Sequence, residues 1–341
     1  MARAQRPGTE VAVRAVVVGA GAVGVRAARQ LLFLGQVDGL GIVEPQQARL
    51  EAVVASLGAP AAPVVSPAGA DVVLLTGPRG HREYAEAALD AGASVVSVSD
   101  DVDDVRALLA LDAEAVERGL HVVVGAGFSP GLSCLLAAHA ARSFEAVEEI
   151  HVAKVGTGGP ACARQHHVAL QGPAIEAGPG IWRRHRGSSG RALMWFPDPV
   201  CGVDCYRAAL PEPIVLAPAF PNADRITARV GANRRDRATA HLPMLRRPHP
   251  EGTLGAVRVE VRGRHGEVRS DRVLGAVDRP AVAAGAVTAL AARWVVDGRL
   301  SRTGAGGLAS LADPGPFLAA LADRGVKAAV FEGAGASANQ A

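Results

Sequence analysis

Gly19-Ala20-Gly21-Ala22-Val23-Gly24 has the G-x-G-x-x-G spacing, set between an apolar run (residues 11–18) and a helix-like stretch (residues 25–32). At a strand-to-helix junction this pattern binds a pyrophosphate. The first glycine permits the tight turn, the second lets the backbone approach the phosphates, and the third lets the helix pack close to the strand. The helix N-terminus then offers free N–H groups to the anion. Glu44 follows a second apolar stretch (residues 40–43), about 20 residues beyond the last glycine, where a carboxylate accepts from adenosine ribose hydroxyls. These residues predict a dinucleotide site. The competing reading is a tight strand–helix turn without a ligand, and glycine and alanine are abundant here.

A second chemical stretch, Gly125-Ala-Gly-Phe-Ser-Pro-Gly131, leaves a strand, turns at Ser129-Pro130-Gly131 and enters an apolar helix. A helix N-terminus at that point suits an anionic substrate group. Lys154 stands in a strand that runs into Gly156-Thr-Gly158-Gly159-Pro160, which should start a helix through residue 171 and offer a second anion site. Arg164 and His167 lie three apart on that helix and share a face. In one reading Arg164 clamps a substrate carboxylate and His167 moves a proton; in the other both are solvated. Lys154 reads equally as a substrate ligand or a surface residue. Asp100 and Asp101 follow another predicted strand, near the expected nicotinamide position. They read as a proton relay or ammonium contact, or as a helix N-cap.

Other chemistries lack support. Cys162-x3-His166 and Cys201-x3-Cys205 are not common zinc-knuckle spacings and lie far apart, so no metal is expected. Gly187-Ser-Ser-Gly190 is not G-x-S-x-G and reads as a turn. The P-loop motif is absent. Cys134 reads as helix packing, and Trp182, Trp195 and Trp294 form no stacking pattern.

The elements that must position these residues alternate. Apolar strands at residues 71–75, 94–98 and 121–124 are separated by helical patterns at 81–91 and 102–118, after a helix at 46–57 and a short strand at 61–65. Such alternation implies a doubly wound parallel sheet, which binds ligands at the carboxyl ends of its strands. Glu44, Thr76-Gly77-Pro78, Ser99-Asp100 and the turn at 129–131 all fall there. After residue 144 the pattern changes to strands at 147–155, 192–196, 226–230, 254–262 and 268–274 with Pro- and Gly-rich loops, then helices at 280–296 and 317–323. The expected organisation is a Rossmann domain (1–144), a mixed-sheet α/β substrate and dimerisation domain (145–278), C-terminal helices returning to the first domain (279–332) and a disordered tail (333–341).

Composition narrows the class. A chain of 341 residues suggests about two domains, and aromatics at 4 % imply a core of Ala, Val and Leu. The net charge of +3 is spread among acids, with no basic stripe for nucleic acid. The N-terminus shows no apolar signal segment, the longest apolar helix is too short for a bilayer, and four cysteines do not make a disulfide scaffold. A cytoplasmic protein with no membrane or nucleic-acid partner is expected.

The order of these features resembles the saccharopine dehydrogenase-like family over roughly residues 13–330: the N-terminal glycine motif, the Pro-Gly turn at 130–131, the Gly-Gly-Pro segment at 158–160, Phe196-Pro-Asp-Pro199 and a late helix after Asp278-Arg-Pro280. The glycine motif is generic to nicotinamide enzymes; the Pro-Gly turn and the later order are more specific. The resemblance implies an NAD(P)-dependent oxidoreductase, usually a dimer, that moves a hydride at a carbon–nitrogen bond of a small amino-acid-like substrate with a carboxylate. The family tends to use NADP. Here Glu44 would repel a 2′-phosphate, and Pro45-Gln46-Gln47 supplies no arginine, so NAD is expected first and NADP second. The predicted cofactor contacts are residues 19–24, Glu44, Thr76, Gly77, Pro78 and Ser99. The predicted substrate contacts are Ser129, Pro130, Gly131, Lys154, Gly158, Gly159 and Arg164, with His167 and Asp100 as the catalytic pair. Two other functions stay open: a silent cofactor-bound sensor or assembly protein, and a dehydrogenase of an aldehyde or hydroxy acid.

Overall fold

Short apolar runs, most of them of valine and leucine and too short for helices, alternate with helical stretches to build the first layer. The computed structural model describes residues 12–244, 247–326 and 328–331; the tail expected at 333–341 lies outside them. The strands are β1 (Val13–Val18), β2 (Val37–Val43), β3 (Ala61–Pro63), β4 (Val72–Leu75), β5 (Ser94–Ser97) and β6 (His121–Val124). Between them run α1 (Ala22–Leu34), α2 (Gln47–Leu57), α3 (His81–Asp90), α4 (Val102–Leu109) and α5 (Asp112–Glu117), with α6 (Leu132–Ala141) after β6. The strands pair in parallel in the order β3-β2-β1-β4-β5-β6. That is the Rossmann order, and its crevice opens beside β1 and β4.

The second layer comprises β7 (Ala146–Val155), α7 (Pro160–Ala169), β8 (Ala174–Gly178), β9 (Ile181–His185), β10 (Ala192–Trp195), β11 (Gly202–Arg207), α8 (Glu212–Leu216), β12 (Arg225–Gly231), α9 (Arg234–Ala238), β13 (Gly255–His265) and β14 (Val268–Asp278). The chain then forms α10 (Pro280–Val296), β15 (Gly304–Gly307), α11 (Leu308–Leu311), α12 (Pro314–Ala322) and β16 (Ala328–Phe331). Among the described residues the second sheet runs β10-β11-β12-β7-β13-β14-β16. Its β7–β12 pair is parallel and its β7–β13–β14 ladder antiparallel, so the sheet is mixed. The fold is therefore α/β: a doubly wound Rossmann sheet beside a mixed one.

Small side chains set the distances. Helix α10 packs on α1 and on β4 and β5. A Cβ at Gly285 would stand 2.6 Å from the Arg26 Cβ, so α10 and α1 meet closely. Thr288, buried in α10, donates to the Ala126 carbonyl at 2.8 Å and ties this helix to the loop after β6.

Two local expectations change. The helix expected over 102–118 breaks at Ala110–Leu111 into α4 and α5. The break turns the Asp112 carboxylate toward β15, where it accepts from Ala305 N–H at 2.7 Å and meets Arg302 at 3.0 Å. The strands β8, β9, β11, β15 and β16 were not expected. β15 is Gly-Ala-Gly-Gly and carries no β-branched residue, yet it extends the first sheet by pairing with β6.

Candidate active site

The glycine motif fills the turn from β1 to α1, and two of its glycines are needed for different reasons. Gly19 sits at φ +99°, and a Cβ there would lie 2.8 Å from Gly77 N. Gly24 faces the opposite way, with a Cβ position 2.0 Å from the Gly19 carbonyl oxygen. The Thr76 hydroxyl donates to that same carbonyl at 2.7 Å, locking the loop to the end of β4. No side chain caps α1, and its first residues, Ala22 and Val23, line the cleft, so the free N–H groups of a helix start lie beside it. A Cβ at Gly21 meets nothing within 4 Å, which leaves open space where a pyrophosphate approaches. This turn fits a dinucleotide.

Glu44, just past β2, has a nearly buried side chain. One carboxylate oxygen accepts from Ala20 N–H at 3.0 Å and the other from Gln46 N–H at 3.2 Å. Arg49 stands 3.6 Å from Glu44 and lines the same cleft.

The cleft, about 690 Å³, lies between the ends of the β1–β6 strands and the start of α7. It is lined by Gly19, Ala20, Gly21, Ala22, Val23, Glu44, Thr76, Gly77, Pro78, Ser99, Asp100, Ser129 and Pro130, which follow strands of the first sheet, and by Lys154, Gly158, Gly159 and Arg164 from β7 and the start of α7. Gly24 and Gly131 are not on its wall; they pack beneath their turns. His167 is the one predicted side chain that the structure turns away. Its Nε2 is 2.7 Å from the Leu242 carbonyl, on the outer side of α7. The reason is helix phase. Cys162, Gln165 and His166 occupy the first, fourth and fifth positions of one face, and that face looks into the cleft. His166 thus stands where His167 was expected.

A buried charge cluster forms the floor. Lys154, 2 % exposed, donates from Nζ to the Ser129 carbonyl at 2.8 Å. It lies 3.8 Å from Asp100 and 3.8 Å from Glu212. Glu212, fully buried in α8, also accepts from the Ser129 hydroxyl at 2.6 Å. His166 Nε2 is 3.8 Å from Asp100 and 3.6 Å from the Cys162 sulfur. Asp101 instead caps α4, accepting from Asp103 and Asp104 N–H, and takes a bond from Gln165.

Burial pushes the Asp100 carboxyl above the usual carboxylate range, although Lys154 pulls it down. Burial also opposes charge on Lys154, but Glu212 and Asp100 outweigh it, and its ammonium is held above the ordinary lysine value. Burial, reinforced by Lys154, drives the His166 imidazole well below its usual value, so it is neutral near pH 7. The cluster therefore offers a firmly charged ammonium, a carboxyl easier to protonate than usual and a neutral ring.

Sequence reasoning missed Glu212 and Gln165. Pro-Glu-Pro at 211–213 gives no sign of a buried carboxylate. The i, i+3, i+4 spacing of Cys162, Gln165 and His166 was a usable signal for the inward face.

No family model and no curated protein matches the chain. Solved structures do. Apo saccharopine dehydrogenase (L-Glu forming) from Saccharomyces cerevisiae superposes with a TM-score of 0.67 at 14 % identity, over 94 % of this chain and 100 % of that one. DAP dehydrogenase of C. glutamicum in complex with DAP gives 0.49 at 14 % identity, over 88 % and 94 %. GenD2 from gentamicin A biosynthesis in complex with NAD gives 0.45 at 17 % identity, over 97 % and 100 %. At such identities the likeness is one of fold. The chain has the saccharopine dehydrogenase-like fold, a Rossmann layer and a mixed-sheet layer meeting at one cleft.

Proposed function

We propose that the chain is an NAD-dependent oxidoreductase acting at the carbon–nitrogen bond of a small amino-acid-like substrate. One observation carries this reading: the uncapped glycine turn of α1 and the Lys154–Asp100–His166 cluster line a single cleft. The saccharopine dehydrogenase-like fold supports it.

A nicotinamide bound along the glycine turn supplies or accepts the hydride. The protein's own groups manage charge and protons. In the reducing direction the carbon gains the hydride and the nitrogen needs a proton. Lys154, kept charged by two carboxylates, is the donor, and in the reverse direction the same amine takes the proton back, with Asp100 beside it holding the ammonium in place. The uncapped start of α7 at Gly159 and the Arg164 guanidinium hold the substrate carboxylate. Arg164 is exposed at the cleft rim. Arg164→Ala should weaken substrate binding by about 1.5–3 kcal/mol, seen as a raised KM with NADH affinity unchanged; unaltered kinetics would remove Arg164 from the site.

Titration with NADH and NADPH tests the cofactor, followed by a screen of amine and keto-acid pairs for NADH consumption. Failure to bind either nucleotide refutes the proposal, and binding without turnover of any pair leaves a cofactor-bound sensor. NADH is expected to bind tighter. A carboxylate and a phosphate about 4 Å apart near a protein surface repel by ~4 kcal/mol, an upper bound once Arg49 is counted. Glu44→Ser should therefore improve NADPH binding by about tenfold or more while NADH weakens. Equal affinities in the parent protein would mean that Arg49, not Glu44, governs the choice.

A further inference from the structure

Three side chains of different chemistry converge on one wall of the cleft. Cys162 and His166 project from the same face of α7, one turn apart, and Asp100 comes from the end of β5 across from them. Their sulfur, Nε2 and carboxylate oxygen all lie within 4.8 Å of one another. A tetrahedral zinc with Zn–S of about 2.3 Å and Zn–N of about 2.0–2.1 Å places sulfur and nitrogen ~3.5–3.6 Å apart. The Cys162–His166 separation is 3.6 Å. The same geometry asks for ~3.4 Å between nitrogen and carboxylate oxygen, against the 3.8 Å seen from His166 to Asp100. A small side-chain rotation closes that gap.

The charges agree. Lys154 brings one positive charge, but Asp100 and Glu212 bring two negative ones, and Glu212 Oε2 has no hydrogen-bond partner among the described residues. Two carboxylates thus share one ammonium. We infer that Asp100, Cys162 and His166 form a three-ligand site for a zinc-class divalent ion, with a fourth position open to the cleft. A sulfur, imidazole and carboxylate set suits zinc over magnesium or calcium, and three protein ligands with one open position is the arrangement of catalytic zinc. No metal was expected because the Cys162–His166 and Cys201–Cys205 spacings are not those of common zinc knuckles and the two pairs lie far apart in sequence. Cys201 and Cys205 are not in the group; the third donor is Asp100. An ion here would bind the nitrogen or carboxylate oxygen of an amino-acid-like substrate. That use rests on the function proposed above, whereas occupancy of the site does not.

Cobalt titration of the chelator-treated full-length protein tests it. One equivalent should give a thiolate-to-cobalt charge-transfer band with tetrahedral d–d absorption, bleached by added zinc. Cys162→Ser should abolish the charge-transfer band, and His166→Gln should weaken cobalt binding by more than the 10–100-fold typical of losing an outer partner. Cys201→Ser should leave the spectrum unchanged. Circular dichroism confirms that each variant is folded. Absence of a one-equivalent band, or a band that survives Cys162→Ser, overturns the site. NADH binding measured on the same samples keeps the two readings apart: cobalt without NADH binding refutes only the function, and the converse refutes only the metal.

Discussion

Lys154→Met is expected to destabilise the folded protein by about 3–5 kcal/mol, the cost of removing one partner from a buried ion cluster. The loss exceeds that of a surface lysine because Glu212 has no route to water and Asp100 is partly buried, 3.8 Å from the missing ammonium. Denaturant unfolding measures it. The double variant Lys154→Met/Glu212→Gln should recover much of the loss, since the amide no longer demands a counter-charge. Acid should also help the single variant. Asp100, already raised by burial, rises further without Lys154, so the folded state binds a proton that the unfolded chain releases. The deficit should therefore shrink as pH falls from about 8 to about 5. A loss under about 1 kcal/mol would mean that the three groups are solvated and the cluster is not a buried network.

The second large effect concerns two glycines only three residues apart. Gly24→Ala places a methyl 2.0 Å from the Gly19 carbonyl oxygen and 2.6 Å from the Thr76 hydroxyl. Backbone cannot yield there, so α1 must slide off β1 and β4, at a cost of about 1–3 kcal/mol in overpacking. Both stability and NADH affinity should fall, the latter about 10–100-fold. Gly21→Ala meets no protein atom within 4 Å. Its melting temperature should stay at the parent value while NADH binding falls at least as far, because the methyl occupies the phosphate's space. Calorimetric titration beside thermal unfolding separates the two. Intact NADH affinity in Gly21→Ala would place the nucleotide elsewhere.

Much of this architecture could be read from the chain before any coordinates. Strongly apolar strands such as 71–75 and 121–124, each ended by glycine or proline, carry their own boundaries. So does the glycine turn, whose chemistry is local. What failed to show were features whose cause is distant. β15 is a strand because β6 offers it an edge, not because Gly-Ala-Gly-Gly prefers to be extended. Glu212 is charged and buried because Lys154 and Ser129 wait for it from elements far away in sequence. The choice between His166 and His167 turned on helix phase, a rotation of about 100° per residue that only the packing of Gln165 and Cys162 against the cleft settles.

The position of β15 has a consequence for the order in which this protein is made. The first sheet is not finished when its six early strands have left the ribosome; its seventh strand and the helix that covers α1, β4 and β5 arrive only with residues 280–307. Until then the alanine face of α1 and the open edge of β6 have no cover, and the whole mixed sheet must be synthesised in between. The Rossmann half is encoded first and completed almost last. A gene fragment ending near residue 144 is therefore not a portable module, and a fusion partner is better attached at either terminus than inserted where the two layers join.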